Sequence, residues 1–471
     1  MRRRQKGGAE TPHHTRGTRK SSPDRAEEQS PLGHINPLLQ FAKRLSSKGV
    51  KATIATTRYT LKSICTANVG VEPISDGFDE SGFAQAKNVD LFLKSFKANG
   101  SRTLSELIQK FQDSGSPVSC VVYDSFFPWA LDVAKQHGIY GAPFFTNSAT
   151  VSHIFCLIHH GKLSFPLKLE TTPLLIPGLP PLNFPDLPSF LKLPESYPAY
   201  LAMKLSQFSN LDMADWIFSN TFEELEAEEA RSISKLWPAK LIGPMVPAAY
   251  LDGRIEDDKG YGASLWEPLV EDCIKWLETK PPKSVVYVSF GSMVSLTLEQ
   301  MEEIAWGLKE SGLHFLWIVK ESDQDKLPDG FVDSTKEIGL IVTWCNQLEM
   351  LENQAIGCFV THCGWNSTLE GLSLGVPMVG VPKWADQLTD AKFVEEIWGV
   401  GLRAKEDDKG VVRKEELVMC LKEVMEGKRS QQIKKNASKW MELAKKAVSE
   451  GGSSDKRINE FVQHLVQKDR Q

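Results

Sequence analysis

Residues 344–387 combine side chains that could hold a nucleotide bearing phosphates and a sugar. An apolar run, 356–362, precedes a Cys-Gly-Trp turn, and residues 366–368 could supply capping side chains to a short helix that ends at Gly375. The run 376–382 has the character of a second short strand. The stretch therefore predicts a strand–turn–helix–strand unit of a parallel α/β sheet, in which ligands bind beyond the carboxyl ends of the strands.

The turn between that first strand and the helix has the properties of an anion site. Free backbone N–H groups and the positive end of the helix meet there, and a diphosphate is a natural guest. The residues at this point are His362, Gly364, Asn366 and Ser367. Gly364 has no side chain, so the backbone can approach a phosphate closely. The alternative is an ordinary α/β core in which these residues only pack or cap.

Further side chains of the stretch could complete a nucleotide-sugar site. Trp344 offers a flat face on which a base could stack, and Glu370 could accept hydrogen bonds from a ribose diol. Asp386 and Gln387 follow the second strand and could bond sugar hydroxyls. Ser292, in a Ser-Phe-Gly-Ser turn after another strand, could add a hydroxyl or N–H to a phosphate.

The whole stretch resembles the signature box of the plant secondary-product UDP-glycosyltransferases. Its length, its opening Trp, the HCGWNS core, Glu370 and the closing Asp-Gln pair all match, and the resemblance extends over most of residues 33–471. It implies a GT-B fold: two Rossmann-like, doubly wound parallel-sheet α/β domains that face a cleft. It also implies transfer of a sugar from a UDP-sugar co-substrate, without a further cofactor.

The resemblance assigns further roles around the donor. It implies that Trp344 stacks on uracil, that the backbone of Cys345 bonds the edge of the base, and that Gln347 joins Glu370 on the ribose. The sugar contacts that it implies are made by Thr146, Trp365, Asp386 and Gln387. In the family a final Gln accompanies glucose donors, so UDP-glucose is the expected donor.

A possible general base lies far from this stretch in the sequence. His34 follows Gly33 at an expected loop, and Asp124 ends an apolar strand, 117–124. A histidine held by a carboxylate can accept a proton from a hydroxyl, and the carboxylate stabilises the imidazolium that forms. The resemblance assigns His34 as the base on the acceptor and Asp124 as its orienting partner. Taken singly, each residue could equally have a capping or turn role.

The acceptor pocket has the weakest sequence signal. Aromatic side chains that could wall an apolar pocket follow Asp124 or lie on the next strand: Phe126, Phe127, Trp129 and Phe144. Each could instead simply pack in the core. Together they fit a small lipophilic alcohol, phenol or carboxylic acid, and the local sequence resembles the branch of the family that glucosylates salicylate, auxin-like acids and terpenoids.

Composition excludes several other classes. The 471 residues carry a net charge of −5, which does not favour nucleic acid or an anionic membrane. No apolar run approaches the ~18 residues of a membrane span. The eight cysteines form no C-x-x-C pair, which favours a cytoplasmic protein with reduced thiols and no metal site. A monomer is expected. The sequence lacks the glycine-rich motifs of nicotinamide dehydrogenases and P-loop hydrolases.

The chain divides into five predicted segments. Residues 1–32 have a disordered composition, 33–244 form an acceptor-binding domain, and 245–268 form a linker. Residues 269–450 form the UDP-sugar-binding domain, and 451–471 form a helix that, by resemblance, packs back on the first domain.

Regular alternation of helix and strand begins at Pro37, where a helix runs to Gly49. The run 173–198 holds eight prolines, which argues against regular structure. It suits either an ordered loop over an apolar pocket or a simple linker.

The N-terminus departs from the family pattern. Relatives begin with an apolar strand that runs directly into the Gly-His turn, whereas here the polar sequence 23–32 precedes Gly33. The missing strand would be central in the first sheet. The hypothesis is a mis-assigned or alternative first exon, which sequencing of the transcript's 5′ end would test. The alternative function is accordingly a protein that binds UDP-sugar but is catalytically impaired.

Overall fold

The computed structural model describes residues 32–66, 68–262 and 270–468. Strands and helices alternate along the chain, and every strand pair in the three sheets is parallel. Helices cover the faces of the sheets, as parallel sheets require. The predicted fold class, two doubly wound α/β domains, is confirmed. Parts of the predicted N-terminal, linker and C-terminal segments (1–31, 263–269 and 469–471) lie outside the described residues.

The C-terminal domain contains one continuous six-stranded sheet in the order β12-β11-β10-β7-β8-β9. Its strands are β7 Val285–Ser289, β8 His314–Ile318, β9 Gly339–Val342, β10 Ile356–Thr361, β11 Met378–Gly380 and β12 Gly401–Arg403. Every residue of β7 and β10, the central pair, is buried. Such near-continuous apolar strands are what a parallel sheet covered on both faces selects.

The N-terminal domain contains two separate sheets. One holds β1 Thr53–Thr57 and β2 Gly70–Ile74, and the other follows the order β3-β4-β5-β6. The strands of the second sheet are β3 Cys120–Asp124, β4 Tyr140–Phe145, β5 Phe218–Ser219 and β6 Lys240–Leu241. Among the described residues, β1 pairs with β2 alone and β3 with β4 alone. The described strands of the domain thus form two sheets, and the predicted absence of a first strand concerns residues 1–31, which lie outside the described part of the chain.

In the described parts of the chain, seventeen α-helices connect or cover these strands. In the N-terminal half they are α1 Leu32–Ser46, α2 Arg58–Leu61, α3 Val89–Asp113, α4 Trp129–Gln136, α5 Ala149–His159, α6 Ser189–Lys192, α7 Pro198–Ser206 and α8 Glu223–Ser232. In the C-terminal half they are α9 Val270–Glu278, α10 Leu298–Ser311, α11 Phe331–Thr335, α12 Gln347–Glu352, α13 Trp365–Ser373, α14 Gln387–Lys392, α15 Lys414–Met425, α16 Ser430–Val448 and α17 Ser453–Lys468.

Two predicted helix starts are wrong. Helix α1 begins at Leu32, not Pro37, so Pro37 lies inside it and His34 lies in its first turn instead of a loop. Helix α13 begins at Trp365, so residues 366–368 lie within the helix and Gly364 holds the N-cap position. Asn, Ser and Thr are favoured caps, but the sharp turn at Cys363, with a positive φ of 60°, starts the helix earlier.

The proline-rich run is neither irregular throughout nor a simple linker. It contains α6 and the start of α7, and it bonds to the C-terminal domain. The N–H of Ser189 donates to the carbonyl of Ala385 at 2.9 Å, and the Ser189 hydroxyl accepts from the Ala385 N–H at 2.8 Å. Arg403 also donates to Asp186 at 2.9 Å. This segment therefore helps to join the two domains beside the cleft.

Helix α17 packs on the N-terminal domain. Phe461 contacts the rings of Phe41 and Phe218 at centroid distances of 6.3 and 5.0 Å. Lys48 donates to Asp455 at 2.7 Å. These contacts place α17 beside α1 and the sheet of β3 to β6. Within the described ranges, no helix is both long and apolar enough to cross a membrane.

Candidate active site

A cavity of about 1740 Å³ lies between the two domains and extends into the divided N-terminal sheet. It brings together the predicted residues from both halves of the chain. Those that line it are His34, Asp124, Phe126, Phe127, Trp129, Thr146, Ser292, Trp344, Cys345, Gln347, His362, Gly364, Trp365, Asn366, Ser367, Glu370, Asp386 and Gln387. The chain thus has one continuous space in which a donor and an acceptor could meet.

His34 and Asp124 meet at the N-terminal side of this cavity. His34 Nδ1 lies 2.7 Å from Asp124 Oδ2 and 3.0 Å from Thr146 Oγ1. The other oxygen of Asp124 accepts from the N–H of Phe126 at 3.0 Å, which fixes the carboxylate. Asp124 is 7% exposed and His34 is 32% exposed. With Nδ1 bound to the carboxylate, Nε2 is the nitrogen available to a substrate proton.

His362 occupies a narrow space between two glycines at the C-terminal side. A Cβ on Gly291 would lie 2.8 Å from His362 Cε1, and a Cβ on Gly364 would lie 2.5 Å from Nε2. Both glycines are therefore needed for the ring to stay where it is. Burial lowers the pKa of His362 to about 4, although a backbone bond at Ser289 acts the other way. At neutral pH the ring is neutral, so it can offer a hydrogen bond to a phosphate but no charge.

A hydrogen-bonded cluster surrounds Glu370. Gln347 Nε2 donates to Glu370 Oε2 at 2.6 Å and to Ser367 Oγ at 3.0 Å. The hydroxyl of Tyr261 donates to Glu370 Oε1 at 2.8 Å. Burial raises the pKa of Glu370 to about 7, while the bonds from Gln347 and Tyr261 oppose that shift. The carboxylate is oriented and ready to accept hydroxyl donors such as a ribose diol.

The start of α13 is tied to the opposite domain. Asn366 Nδ2 donates to the carbonyl of Gly33 at 2.8 Å, and Trp365 Nε1 donates to the carbonyl of Asn220 at 2.7 Å. These bonds set the distance between the N-terminus of α13 and the His34 side of the cavity. Because the indole N–H of Trp365 already has a partner, its ring serves as an interdomain contact as well as part of the cavity wall.

Asp386 and Gln387 lie at the start of α14. Gln387 Oε1 accepts from the backbone N–H groups of Lys383 and Trp384 at 3.0 and 2.9 Å. The side-chain amide group of Gln387 is thereby oriented, and any bond that it gives to a sugar hydroxyl would come from Nε2. Residues 383–387 form one rigid loop at the edge of the cavity.

Of the aromatic residues predicted to line an acceptor pocket, one does not line the cavity, and two line it but also pack in the hydrophobic core. Phe144 is completely buried, packs against Phe41 at 5.8 Å, and does not line the cavity. It lies on the strand β4, whose faces are covered by helices. Phe127 and Trp129 line the cavity but also belong to a core cluster with Phe96. Phe126 is the aromatic residue nearest the base, with its ring 4.6 Å from that of His34.

Two residues of the cavity were missed by sequence reasoning. Lys204, on α7, is almost fully buried, donates to Asn147 Oδ1 at 2.6 Å, and lies 4.6 Å from the centroid of the Phe126 ring. Tyr261 reaches Glu370 from the segment between the domains. A lysine within an otherwise apolar helix was a usable signal for Lys204. Tyr261 had none, because its position depends on how the connecting segment packs.

The described part of the chain holds no group of three or more His, Cys, Asp or Glu side chains arranged to bind a metal ion. A nucleotide diphosphate would instead meet backbone N–H groups, the end of α13 and neutral side chains. The fold is that of a GT-B glycosyltransferase, and the candidate nucleotide-sugar site lies at the C-terminal sheet.

Comparisons with known proteins agree with this assignment. The family model "UDP-glucoronosyl and UDP-glucosyl transferase" matches residues 219–446. UDP-glycosyltransferase 74B1 of Arabidopsis thaliana is 53% identical over 442 residues, which are 92% of this chain and 95% of that protein. Flavonol 7-O-beta-glucosyltransferase UGT74F1 of the same plant is 46% identical over 442 residues, covering 92% and 96%. The solved structure of Os79 from O. sativa with UDP is 39% identical, covers 93% of this chain and 98% of that chain, and superposes with a TM-score of 0.88.

The chain therefore belongs to the plant UDP-glycosyltransferases of family 1. It is a glycosyltransferase that takes a UDP-sugar as co-substrate and a small molecule as acceptor.

Proposed function

We propose that the chain transfers glucose from UDP-glucose to a hydroxyl group of a small lipophilic plant metabolite, with inversion, to give a β-glucoside. The observation that carries this proposal is the 2.7 Å contact between His34 and Asp124, in the same cavity as the start of α13. A base that is held by a carboxylate and faces a diphosphate site is what a direct displacement needs.

His34 is the general base of the proposed reaction. Its Nε2 takes the proton of the acceptor hydroxyl while the oxygen attacks the anomeric carbon of glucose. The bond from that carbon to the phosphate oxygen breaks, and UDP leaves with the electron pair. Asp124 stabilises the imidazolium that forms and keeps Nε2 directed at the acceptor. A single displacement converts an α-linked donor into a β-glucoside.

The C-terminal domain binds the donor and stabilises the leaving group. His362, Asn366 and Ser367 surround the N-terminus of α13, where N–H groups and the helix dipole favour the diphosphate. Ser292 adds a further polar contact to the phosphates. Trp344 stacks on uracil beside the backbone of Cys345, and the Glu370–Gln347 pair accepts and donates to the ribose. The observed bonds of Glu370 support this role, because they orient both of its oxygens.

The proposed glucose contacts come from both domains. Asp386 and Gln387 approach from the start of α14 and Trp365 from the start of α13, whereas Thr146 approaches from the N-terminal domain. Gln387, whose side-chain amide is oriented by two backbone donors, supports glucose as the donor sugar. One relative is named a flavonol 7-O-beta-glucosyltransferase, which also supports glucose. The acceptor lies against Phe126, with Phe127 and Trp129 further along the wall.

A second candidate, formation of a glucose ester from a carboxylic acid, is favoured by Lys204. Its ammonium group sits over the Phe126 ring, which in turn contacts His34. Burial lowers the pKa of Lys204, and the carboxylates of Asp386, Asp124 and Asp390 oppose that shift. A cation at this point would attract an acceptor carboxylate, which is already ionised at neutral pH and needs no base.

The test is turnover of UDP-glucose by the purified chain with matched acceptors. Benzoic acid and phenol differ in the acidic group alone, and a flavonol and an aliphatic alcohol extend the panel. Mass spectrometry identifies the products, and the anomeric proton coupling in NMR assigns their configuration. β-Glucosides support the proposal, whereas an α-linked product would contradict direct displacement. UDP binding without any product would favour the impaired, donor-binding alternative.

The variant Lys204→Met separates the two acceptor classes. If Lys204 attracts the carboxylate, the variant loses ~10-fold or more in kcat/KM for benzoic acid, the scale of one charge-assisted contact. Its activity toward phenol changes little. Equal losses on both acceptors would instead assign Lys204 to the packing of α7.

A further inference from the structure

Tyr261 lines the donor side of the cavity although it belongs to the segment that connects the two domains. Its hydroxyl donates to Glu370 Oε1 at 2.8 Å, while Gln347 Nε2 donates to the other oxygen of the same carboxylate at 2.6 Å. Burial, and then the nearby Glu370 carboxylate, raises the pKa of Tyr261 well above its usual value, so the phenol keeps its proton at neutral pH. Glu370 is thus held between hydrogen-bond donors from two different segments of the chain.

Bonds on both sides of this tyrosine hold its segment against the N-terminal domain. Asp258 accepts from Gln40 Nε2 at 2.6 Å and from Lys43 Nζ at 2.9 Å, and both donors lie on α1. The Asp258 carboxylate is buried, so salt screens these bonds little. The carbonyl of Gly262 accepts from the N–H of Cys65 at 2.7 Å. The tyrosine therefore reaches the donor side from a backbone that other contacts hold in place.

The carboxylate of Glu370 can accept a ribose as well as these two donors. A carboxylate offers about four lone-pair sites on its two oxygens. Within the described part of the chain, Tyr261 and Gln347 each take one site, on different oxygens, so about two sites remain for the 2′- and 3′-hydroxyls of a ribose. A carboxylate whose orientation is already fixed loses little conformational freedom when the diol binds. The two donors therefore prepare Glu370 for the ribose.

We propose that Tyr261 is a positioning residue for the donor: it holds Glu370 in the orientation that accepts the ribose diol, and it thereby increases the preference for UDP over 2′-deoxy-UDP. The proposal rests on the role at the ribose that is proposed above for Glu370. The segment of Tyr261 is bonded to α1, the helix that carries His34. Binding of UDP by the C-terminal domain thus depends on a contact that the N-terminal domain holds in place.

The test compares Tyr261→Phe with Tyr250→Phe, which is a matched control. The Tyr250 hydroxyl donates to the carbonyl of Lys259 in the same connecting segment at 2.9 Å, and its side chain is buried away from the cavity wall. Each variant therefore loses one phenolic hydroxyl and one hydrogen bond. Calorimetry at pH 8, above the pKa of about 7 of Glu370, measures the affinities for UDP and 2′-deoxy-UDP. Thermal unfolding measures the stability of each variant.

The wild-type protein should bind UDP ~10-fold or more tightly than 2′-deoxy-UDP, the scale of one hydrogen bond to a charged acceptor. In Tyr261→Phe this preference should fall by at least ~3-fold, whereas Tyr250→Phe should keep it. In a Glu370→Gln background, Tyr261→Phe should have no further effect on the preference, because the two residues act through one contact. The Tyr261 bond also lowers the pKa of Glu370, so the pH dependence of uridine binding should move to higher pH in Tyr261→Phe alone.

Equal loss of preference in both tyrosine variants would assign Tyr261 to the packing of the connecting segment and overturn the proposal. An unchanged preference in Tyr261→Phe would do the same, and tighter binding of UDP would show that the hydroxyl competes with the ribose. If the wild-type protein binds both nucleotides equally, the ribose role of Glu370 is wrong, and so is the proposal. These binding measurements need no turnover. A chain that binds UDP but transfers no glucose would therefore contradict the proposed function, while the two affinities still decide the role of Tyr261.

Discussion

The two α/β domains of this chain are built from the same type of unit, yet their sheets differ in completeness. The C-terminal sheet runs through six strands without interruption, and its central pair is buried at every residue. The N-terminal strands form a pair and a separate set of four. A parallel sheet derives stability from strands paired on both edges and covered on both faces. The inner strands of the C-terminal sheet meet both conditions, whereas, within the described residues, β1 and β3 of the N-terminal domain are each paired on one edge.

This difference coincides with the division of chemical roles across the cavity. The candidate diphosphate site sits at the end of β10, in the continuous sheet. The His34–Asp124 pair joins α1 to β3, and β3 borders the gap. Strand β4 supports β3 on one edge, where Asp124 pairs with Phe144. Further contacts hold the pair: the Phe126 N–H on Asp124, Thr146 on His34, and Asn366 on the Gly33 carbonyl. Of these, the Asn366 bond comes from the C-terminal domain.

The largest expected difference between the two sheets is in amide hydrogen exchange. The free energy of the local opening that lets an amide exchange ranges, within one protein, from near zero to the free energy of global unfolding. We expect amides of Thr53–Thr57 to exchange at least ~10⁴-fold faster than those of Val285–Ser289, after correction for intrinsic rates. Mass spectrometry of peptic fragments measures both segments in one sample, and β8 serves as an internal control. Equal protection of β1 and β7 would show that the division of the sheet has no energetic consequence.

Removing the base tests whether the N-terminal domain contributes chemistry at all. His34→Ala should lower kcat toward phenols by ~10³-fold, the range for loss of a general base, because among the described residues the other contact of Asp124 is the Phe126 N–H, which cannot accept a proton. The affinity for UDP, measured by calorimetry, should be unchanged. Asp124→Asn is the matched variant, since it keeps the shape but not the charge. Near-full activity of His34→Ala would remove this residue as the base.

The predicted donor residues are easier to place from the sequence than the predicted acceptor residues, for a physical reason. The donor residues from Trp344 to Gln387 belong to consecutive elements of one sheet, so the order of the chain predicts their neighbourhood. The missing first strand stays a prediction, because residues 1–31 lie outside the described part of the chain. Lys204 had a signal, a lysine within an otherwise apolar helix, but its place beside Phe126 depends on packing between distant segments. Tyr261 had none, since it reaches Glu370 from the connecting segment. Phe144 was wrongly assigned to the pocket because the sequence does not show which face of the sheet an aromatic residue on a buried strand occupies.

A smaller effect is expected from changing the diphosphate site in the complete domain. Gly364→Ala would place a methyl group 2.5 Å from His362 Nε2, so the ring must move. Overpacking of this kind costs about 1–3 kcal/mol, and we expect UDP to bind ~10-fold more weakly. Gly260→Ala is the control, because its added methyl meets nothing within 4 Å. Unchanged UDP affinity in Gly364→Ala would separate His362 from phosphate binding.

The smallest predicted effect is a pH dependence of donor affinity that Glu370 imposes. Burial raises the pKa of this carboxyl to about 7, so the free protein holds it protonated below that pH and ionised above it. The ionised form accepts two ribose hydroxyls, whereas the protonated form accepts less well. Affinity for uridine should therefore fall by ~3-fold or more between pH 8 and pH 6, as expected for a group that changes charge across its pKa.

Uridine is the appropriate ligand because it has no phosphate that titrates in this range. Glu370→Gln keeps the hydrogen bond to Tyr261 available but cannot ionise, so its affinity should be weaker and flat with pH. A wild-type profile that is equally flat would mean that Glu370 stays in one protonation state. Because the raised pKa also favours the protonated folded protein, the Glu370 contribution to the free energy of unfolding decreases as pH rises toward about 7. A ribose that prefers the ionised Glu370 carboxylate stabilises the folded protein when it binds, and this offsets the decrease in the free energy of unfolding. Binding of uridine is thereby linked to the stability of the C-terminal domain.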